Sequence, residues 1–324
     1  MTSPLRIGVL GAARIVPSAL LAPARDRNDI RVTHVAARDP ARAKAFAAEH
    51  GLWPAGTYAE LLRRDDIDLV YIAVPPSGHC EWTLRAIDAG KAVLCEKPFA
   101  MNAAEASQMV EAATAARLPL IEAFHYRFHP AILRAQELLR TGAIGRIRQA
   151  RASFATAIPQ DAGEFRWRAE LGGGAVMDLG CYPVHALRTL IGGEPTVLSA
   201  EALYEGDVEA EASAVLEFPG GATALIECGM RSAERKWDLE IHGEGGQMTL
   251  SNFIVPHYGS VLAVATAEGE RAERFEGPST YAAQLAHVAE VLLRGAPPMT
   301  GGEDSIANLR AIEAIRAAAG ANAH

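Results

Sequence analysis

Short apolar runs alternate with helical patterns in the first part of the chain. Five runs have the length of buried strands, and the stretches between them carry apolar residues at helical spacing. The predicted strands are 6–10, 31–36, 69–74, 92–95 and 119–122. The predicted helices are 40–50, 58–64, 80–89 and 103–116. Strands that alternate with helices predict a parallel, doubly wound α/β sheet.

The pattern changes after about Gly145, where strand-like segments follow one another directly. The predicted strands are 148–158, 196–204, 212–218, 223–230, 237–242 and 247–250. Glycine-rich stretches at 219–221 and 243–246 lie between consecutive strands, as hairpin turns do. Two helical patterns follow at 281–294 and 304–319. This part predicts an α/β domain with a mixed, mostly antiparallel sheet.

Composition excludes several classes of protein. The 324 residues are 49% hydrophobic and 22% charged, which is typical of a globular chain that needs neither disulfides nor a metal to fold. Lys and Arg number 31 against 39 Asp and Glu, a net charge of −8. This balance argues against nucleic acid and against an anionic membrane surface as partners.

The apolar segments and the cysteines bear on location. We find no apolar run of 18 residues, so no membrane span is predicted. Gly8 and Gly11 break the apolar residues near the N-terminus and no charged leader precedes them, which argues against a signal peptide. The four cysteines form no CxxC pair, which argues against structural zinc. We expect a cytoplasmic protein.

A glycine turn follows the first predicted strand. Gly11 begins the stretch GAARIV, in which Ala13 and Val16 replace the second and third glycines of GxGxxG. Gly11 supplies the tight turn, Ala13 still permits fairly close approach of a pyrophosphate, and the following helix offers amide donors. On its own the turn is equally compatible with an ordinary strand-to-helix connection.

Arg38 follows the second predicted strand, where a nucleotide-binding domain often carries an Asp or Glu. The segment is VAARD, so no acid precedes Arg38. An acid usually holds the ribose 2′-hydroxyl, whereas a guanidinium matches the oxygens of a 2′-phosphate. The sequence favours NADP(H). NAD(H) is the alternative if Arg38 only pairs with Asp39, which could itself bind the ribose.

Lys97 lies in a Glu-Lys-Pro turn directly after the predicted strand 92–95. Open α/β sheets bind ligands at the carboxyl ends of their strands, and the strand end at 71–79 belongs to the same edge. Pro98 favours an extended backbone at Lys97. A lone loop lysine is usually a solvated charge, so a chemical role for Lys97 depends on its neighbours.

Three polar side chains follow the glycine run 172–174. If the segment is helical, Asp178, Tyr182 and His185 fall at i, i+4 and i+7 and share one face. A carboxylate, a phenol and an imidazole in one stripe suit a hydroxylated substrate, and Pro183 should break or kink the helix beside them. The alternative is a polar face turned to solvent.

With these motifs in place, the chain resembles the glucose–fructose oxidoreductase / inositol dehydrogenase / MocA family, and within it the dihydrodiol dehydrogenase and sugar dehydrogenase subgroup. The resemblance covers nearly the whole length. It is carried by the segments GVLGAARI, VAARDPARAKAFAAEHG, VYIAVPPSGH, AGKAVLCEKP, EAFHYRFHP and GGGAVMDLGCYP. It implies a dinucleotide-binding Rossmann domain at 1–122 and a substrate-binding and oligomerisation domain at 123–324. It leaves open whether the C-terminal helix packs back on the first domain.

The resemblance also implies roles for residues. Lys97 would lie beside the nicotinamide and the substrate hydroxyl, and Asp178 would bind substrate. Many members place a catalytic histidine four residues after the aspartate. Tyr182 stands there instead, as in the dihydrodiol and glucose–fructose subgroup, which favours a tyrosine acid/base. Tyr71 and His79 match positions near the coenzyme in dihydrodiol members. The expected cofactor-binding residues are Gly11, Ala13, Arg14, Ile15, Arg38, Tyr71, Ala73, Pro75, His79, Glu96 and Lys97, and the expected substrate-binding residues are Lys97, His125, Asp178, Tyr182 and His185.

These features predict an NADP-dependent oxidoreductase acting on an alcohol or carbonyl of a sugar, polyol or cyclic diol, as a homodimer or homotetramer. The alternative is a cofactor-binding sensor without turnover. Retention of Lys97, Asp178 and Tyr182 argues against it, because a sensor needs only the nucleotide site. A metal site at Glu122, His125 and His129 is disfavoured by Pro130 and the absence of HExxH. We expect no metal, and we expect His125 to line the substrate cleft.

Overall fold

A computed structural model describes residues 3–161 and 163–321, which divide into two compact units. The first unit is the chain through His125 together with Tyr281–Ile306. The second unit is Tyr126–Thr280 together with the chain from Ala307 onward. The predicted boundary at 122/123 is close to the first division, but residues 281–306 had been placed in the second domain.

A six-stranded parallel sheet forms the centre of the first unit. Its strands are β1 (Leu5–Leu10), β2 (Ile30–Ala36), β3 (Trp53–Pro54), β4 (Leu69–Ile72), β5 (Ala92–Cys95) and β6 (Leu120–Glu122). The strand order is β3-β2-β1-β4-β5-β6, so the direction of winding reverses between β1 and β4. This is the topological switch point at which doubly wound sheets bind their ligands.

Helices connect these strands, and their bounds follow from local capping. They are α1 (Ala22–Arg25), which a π-helical turn at Pro17–Leu21 precedes, α2 (Pro40–His50), α3 (Tyr58–Leu62), α4 (His79–Asp88) and α5 (Ala103–Ala116). The Asp39 side chain accepts from the Ala41 amide at 2.9 Å, and Asn102 accepts from the Glu105 amide at 2.8 Å. Each side chain satisfies an amide that the first turn leaves unpaired, which sets where α2 and α5 begin.

A helix from late in the chain completes the first unit. In α8 (Thr280–Arg294), the side chains of Leu285, Val288 and Val291 belong to the same buried cluster as residues of β1 and β2. The apolar stripe of α8 therefore covers this sheet, although residues 281–306 were expected in the second domain. The last helix, α9 (Glu303–Ala321), begins in the first unit and continues in the second.

A nine-stranded mixed sheet forms the second unit. Its strands are β7 (Ile147–Ala157), β8 (Thr196–Glu205), β9 (Val208–Glu217), β10 (Thr223–Gly229), β11 (Arg231–Lys236), β12 (Leu239–Gly243), β13 (Gly246–Leu250), β14 (Ser260–Thr266) and β15 (Gly269–Phe275). The order is β15-β14-β13-β12-β7-β10-β9-β8, with β11 also pairing with β7. Only β7 and β10 pair in parallel, and the other pairs are antiparallel.

One face of this sheet is packed, and the other carries both apolar and charged side chains. The helix α7 (Cys181–Ile191) and the turn before it pack on β7 and β10. On those strands buried alanine and isoleucine alternate with half-exposed residues such as Leu225 and Glu227. Glu227 pairs there with Arg151 at 2.5 Å. The uncovered face is therefore mixed rather than apolar.

Elements that the pattern did not predict are β3, β11, β14, β15 and the helix α6 (Pro130–Arg140). The β15 segment GERAERF alternates charges with few apolar residues because both of its faces are largely exposed. The confirmed features are the parallel Rossmann sheet and a second, larger mixed sheet. In the described part of the chain, no helix is long and apolar enough to span a membrane.

Candidate active site

The glycine turn lies at the switch point of the first sheet. Gly11 has φ +107°, and a Cβ there would lie 2.3 Å from the Ala73 carbonyl oxygen at the end of β4. Only glycine tolerates both this backbone and this contact. The Gly11 amide donates to the Ala36 carbonyl at 2.9 Å, so the turn is tied to β2 as well. Ala13 and Ile15 are half-buried and Arg14 is exposed. This geometry fits a dinucleotide phosphate.

Two arginines stand at the end of β2. Arg38 is exposed, and its charge lowers the pKa of the neighbouring Tyr58, against a larger rise caused by burial. Arg42, in the first turn of α2, donates to the Ala12 carbonyl at 2.9 Å. The sequence analysis missed Arg42, although its spacing of four residues from Arg38 was visible. Both guanidinium groups therefore belong to the end of the sheet that carries the glycine turn.

The Glu-Lys-Pro turn is anchored by a hydrogen bond from the neighbouring strand β4. Tyr71, fully buried on β4, donates its hydroxyl hydrogen bond to the Glu96 carboxylate. Glu96 in turn accepts from the Lys97 amide at 3.3 Å. Lys97 itself is half-buried, and its peptide bond to Pro98 is cis. Because β4 and β5 are neighbours in the sheet, Tyr71 fixes the start of the turn that carries Lys97.

His79 joins two turns of the same edge. Its ring is 0% exposed, with Nε2 2.9 Å from the Val74 carbonyl and Nδ1 2.9 Å from the Pro98 carbonyl. Burial lowers the pKa of His79 to about 4. The ring is enclosed by the protein on both sides, so its described contacts are with main-chain carbonyl groups. Its place in the structure is a bridge from the Pro75 turn to the Lys97 turn.

His125 and Glu122 are packed inside the first unit. The His125 ring is buried and lies 4.2 Å from the Tyr281 ring, centroid to centroid. The Glu122 carboxylate accepts a hydrogen bond from the Ser305 hydroxyl. Across residues 3–161 and 163–321, no three His, Cys, Asp or Glu side chains are grouped so as to hold a metal ion.

In the second unit, the predicted polar helix begins with a π-helical turn at Val176–Gly180 and continues as α7. Pro183 lies in the first turn of α7, and the helix runs through it, so Pro183 does not break the helix. The irregular hydrogen bonding falls instead in the preceding π turn, beside Asp178. Proline is tolerated near the start of an α-helical segment, and π turns often mark functional sites.

Asp178 is paired with a cation that the sequence analysis missed. Arg166 Nε donates to Asp178 Oδ2 at 2.6 Å, and Arg166 Nη1 donates to Glu164 Oε1 at 2.8 Å. The side chains of Asp178 and Glu164 are 4% and 6% exposed. The Coulomb field of Asp178 is the main reason that the pKa of Arg166 is raised above its ordinary value. Spacing could not have revealed this pair, because a loop separates the two residues.

Tyr182 stands in a group of aromatic rings. It is 4% exposed, and its ring lies 5.3 Å from Phe154 and 5.8 Å from Tyr126. Phe154 in turn lies 5.8 Å from Trp237. Edge-to-face packing of this kind fixes the plane of a phenol ring. The ring of Tyr182 is therefore held in one orientation.

His185 is buried one helical turn after Tyr182 on α7. It is 1% exposed, and its Nδ1 lies 2.5 Å from the Tyr126 hydroxyl oxygen. Asp178, Tyr182 and His185 are thus all buried, which excludes the alternative of a polar face turned to solvent.

The fold and these sites define a dinucleotide-dependent oxidoreductase, and comparisons agree. Residues 5–124 match the model of an oxidoreductase family with an NAD-binding Rossmann fold, GFO/IDH/MocA, and residues 132–249 match the GFO/IDH/MocA C-terminal domain. The chain belongs to this family. The predicted family, fold class and enzyme class are confirmed.

Two of three named relatives cover nearly the full length, and the third covers 64% of it. A dTDP-3,4-didehydro-2,6-dideoxy-α-D-glucose 3-reductase of Actinomadura kijaniata is 33% identical over 98% of this chain and 96% of its own. A D-xylose 1-dehydrogenase (NADP(+)) of Haloferax volcanii is 33% identical over 96% of both chains. A trans-1,2-dihydrobenzene-1,2-diol dehydrogenase of Oryctolagus cuniculus is 39% identical over 64% of this chain and 63% of its own.

Solved structures share the same fold. A 3-ketoreductase from Actinomadura kijaniata in complex with NADP and TDP-benzene superposes with TM-score 0.89 at 32% identity, covering 98% of both chains. An aldose–aldose oxidoreductase from Caulobacter crescentus complexed with glycerol has TM-score 0.90 at 27% identity, again over 98% of both chains.

Proposed function

We propose that this protein is an NADP-dependent oxidoreductase acting on a secondary alcohol, or the corresponding carbonyl, of a sugar, polyol or cyclic diol. The buried Asp178 and Tyr182 on one helical segment carry the proposal, because a protein that only senses a nucleotide needs neither. Arg38 at the end of β2, with no acid before it, supports NADP(H). Relatives named for sugar and diol substrates, and a neighbour bound to NADP, support the same class.

The bound nicotinamide would accept or donate the hydride, and the residues of this chain would handle the proton. In the oxidation direction, the substrate hydroxyl proton would pass to the Tyr182 phenolic oxygen. A phenol has an ordinary pKa of about 10, and a nearby ammonium favours the phenolate. We assign this electrostatic role to Lys97, which would also stabilise the developing alkoxide. Asp178 would orient the reacting hydroxyl.

The rival assignment makes Lys97 the base and leaves Tyr182 as a hydrogen-bonding side chain. General acid–base catalysis is typically worth about 10²–10⁴ in rate. We therefore expect Tyr182→Phe to lower kcat by that order with cofactor affinity intact, and Lys97→Met to do at least as much harm. If Tyr182→Phe retains more than about a third of wild-type kcat and the same pH profile, the rival assignment holds.

Nicotinamide absorbance provides the direct assay. Aldoses, inositols, dihydrodiols and dTDP-linked keto sugars would each be supplied with NADP(H) and with NAD(H), in both directions. Turnover of one class with NADP(H) is the expected result. Tight NADP(H) binding without turnover on any class would favour a sensor instead.

We also propose a homo-oligomer in the cytoplasm. The half-exposed Leu225 and Val215 are paired neighbours on the uncovered face of the second sheet, and Glu227 and Arg151 lie beside them. Because this face carries both apolar and charged side chains, the interface would combine apolar contacts with ion pairs. The four cysteines are free thiols, which is in keeping with a reducing compartment.

A further inference from the structure

We infer that Arg166 is the positioning residue of the substrate site, holding the Asp178 carboxylate in the orientation in which it binds the reacting hydroxyl. This inference rests on the proposed function, because it assigns a task within that reaction. Nothing in the family match or in the names of the relatives gives Arg166 a role.

The first observation is the shape of the ion pair. The guanidinium lies between two carboxylates, with Nε 2.6 Å from Asp178 Oδ2 and Nη1 2.8 Å from Glu164 Oε1. Both acids are almost fully buried, whereas the Arg166 side chain keeps 28% of its surface exposed. Because one carboxylate oxygen of Asp178 is bound to a planar donor that is itself clamped on its other side, the carboxylate plane cannot rotate freely.

The second observation is that the main chain docks the same loop independently. The Gly174 amide donates to the Arg166 carbonyl at 2.9 Å, and the Gly173 amide donates to the Arg168 carbonyl at 3.0 Å. A Cβ at Gly173 would lie 2.5 Å from the Arg166 carbonyl oxygen, so glycine is required for this approach. We therefore expect the loop to stay on the glycine run when the Arg166 side chain is replaced, and the loss to be confined to the ion pairs of that side chain with Asp178 and Glu164.

In the reaction, Asp178 and Tyr182 would therefore have different roles. Asp178 carries a charge balanced by Arg166, so it accepts a hydrogen bond from the substrate and leaves proton transfer to Tyr182. Without Arg166 the buried carboxylate loses its cation and its fixed orientation. Misplacement of a substrate by about 1 Å can cost roughly 10²-fold in rate.

The test compares Arg166→Ala with Arg168→Ala. Arg168 lies on the same loop and pairs with Glu170 at 2.8 Å, but both of these side chains are more than half exposed. We expect Arg166→Ala to lower kcat/KM by about 10- to 100-fold. The Kd for NADP(H), measured by fluorescence, should stay within twofold, and Arg168→Ala should behave as wild type.

Chemical rescue separates positioning from a merely structural role. Guanidinium chloride at millimolar concentrations should restore part of the activity of Arg166→Ala. It should not increase the activity of Arg168→Ala. Arg166→Lys should fall between wild type and Arg166→Ala, because it keeps the charge but not the fork. Retention of kcat/KM within threefold in folded Arg166→Ala, or a loss that guanidinium does not relieve, overturns the inference.

A stability measurement, which needs no turnover, tests the role of Arg166 independently of the proposed function. Urea midpoints would be measured for Arg166→Ala, Asp178→Asn and the double variant. If Arg166 acts through Asp178, the double variant is no less stable than Arg166→Ala alone. Strictly additive losses would contradict the pairing, whereas absence of wild-type turnover on the substrate panel would contradict only the proposed function.

Discussion

Arg38 and Arg42 differ in what they contact, so they should differ in what they recognise. Arg38 is exposed at the end of β2, where a 2′-phosphate would reach it. A charge-assisted contact contributes about 1.5–3 kcal/mol. We expect Arg38→Ala to raise KM for NADP(H) about tenfold or more and to leave NAD(H) nearly unchanged. Steady-state kinetics with both cofactors measures this, and a wild-type preference for NAD(H) would contradict the assignment.

Arg42 serves as the internal comparison. Its hydrogen bond to the Ala12 carbonyl supports the glycine turn, which both cofactors would use. Arg42→Ala should therefore weaken NADP(H) and NAD(H) together.

At the level of single residues, the sequence singles out candidate site residues that have an unusual neighbour. Lys97 stands before a proline, and Tyr182 and Asp178 follow a glycine run. Sequence reasoning missed Arg166, because its role depends on the ion pair with Asp178, and a loop separates the two residues in the sequence. It also could not show that the His79 ring lies between two carbonyl groups, because they belong to Val74 and Pro98 on separate turns.

Among the elements, α6 begins with a cap that depends on protonation. His129 Nδ1 accepts from the Ala131 amide at 3.2 Å, which requires a lone pair on that nitrogen. Burial, with a smaller contribution from His257, lowers the pKa of His129 to about 4. The unfolded chain would titrate near 6.5, so it binds more protons than the folded chain between those values. The contribution of His129 to stability is present above pH 6.5 and is lost as the pH falls to about 4.

We expect His129→Asn to flatten the fall in unfolding free energy over that range. Asparagine caps helices well and does not titrate, so stability at neutral pH should drop by no more than about 1 kcal/mol. Urea denaturation at several pH values measures both effects. The variant's unfolding free energy should still fall somewhat with pH, because folding also lowers the pKa of His79. Parallel curves for wild type and variant would show that His129 does not contribute.

The elements also show where pattern reasoning works. The helices at 40–50 and 103–116 were predicted with the bounds observed, because Asp39 and Asn102 cap them locally. The strands β14 and β15 were not predicted. They lie at one end of the second sheet, where half-exposed alanines and charges replace the apolar alternation of a core strand. The sequence predicts an element well when its own residues cap its end or form a regular buried face.

For the molecule as a whole, assembly is the open prediction. Sedimentation velocity at micromolar concentration should give a species at least twice the 34.4 kDa of one chain. Leu225→Glu, on the uncovered face of the second sheet, should shift that species toward the monomer. Leu293→Glu, on α8 in the first unit, should not, although Leu293 is 39% exposed. A wild-type monomer at these concentrations would refute the proposal.

The contribution of α8 to the first unit affects how the protein emerges from the ribosome. Residues up to His125 are synthesised well before the segment Tyr281–Ile306 that covers their sheet. At roughly 5–20 residues per second, the nascent sheet waits on the order of 10 s for that segment. During this interval the apolar side chains of Ile7 and Val9 lack the neighbours they have in the finished core. Chaperones that bind exposed apolar chain would have time to act, because the first unit closes only after the segment Tyr281–Ile306 has been synthesised.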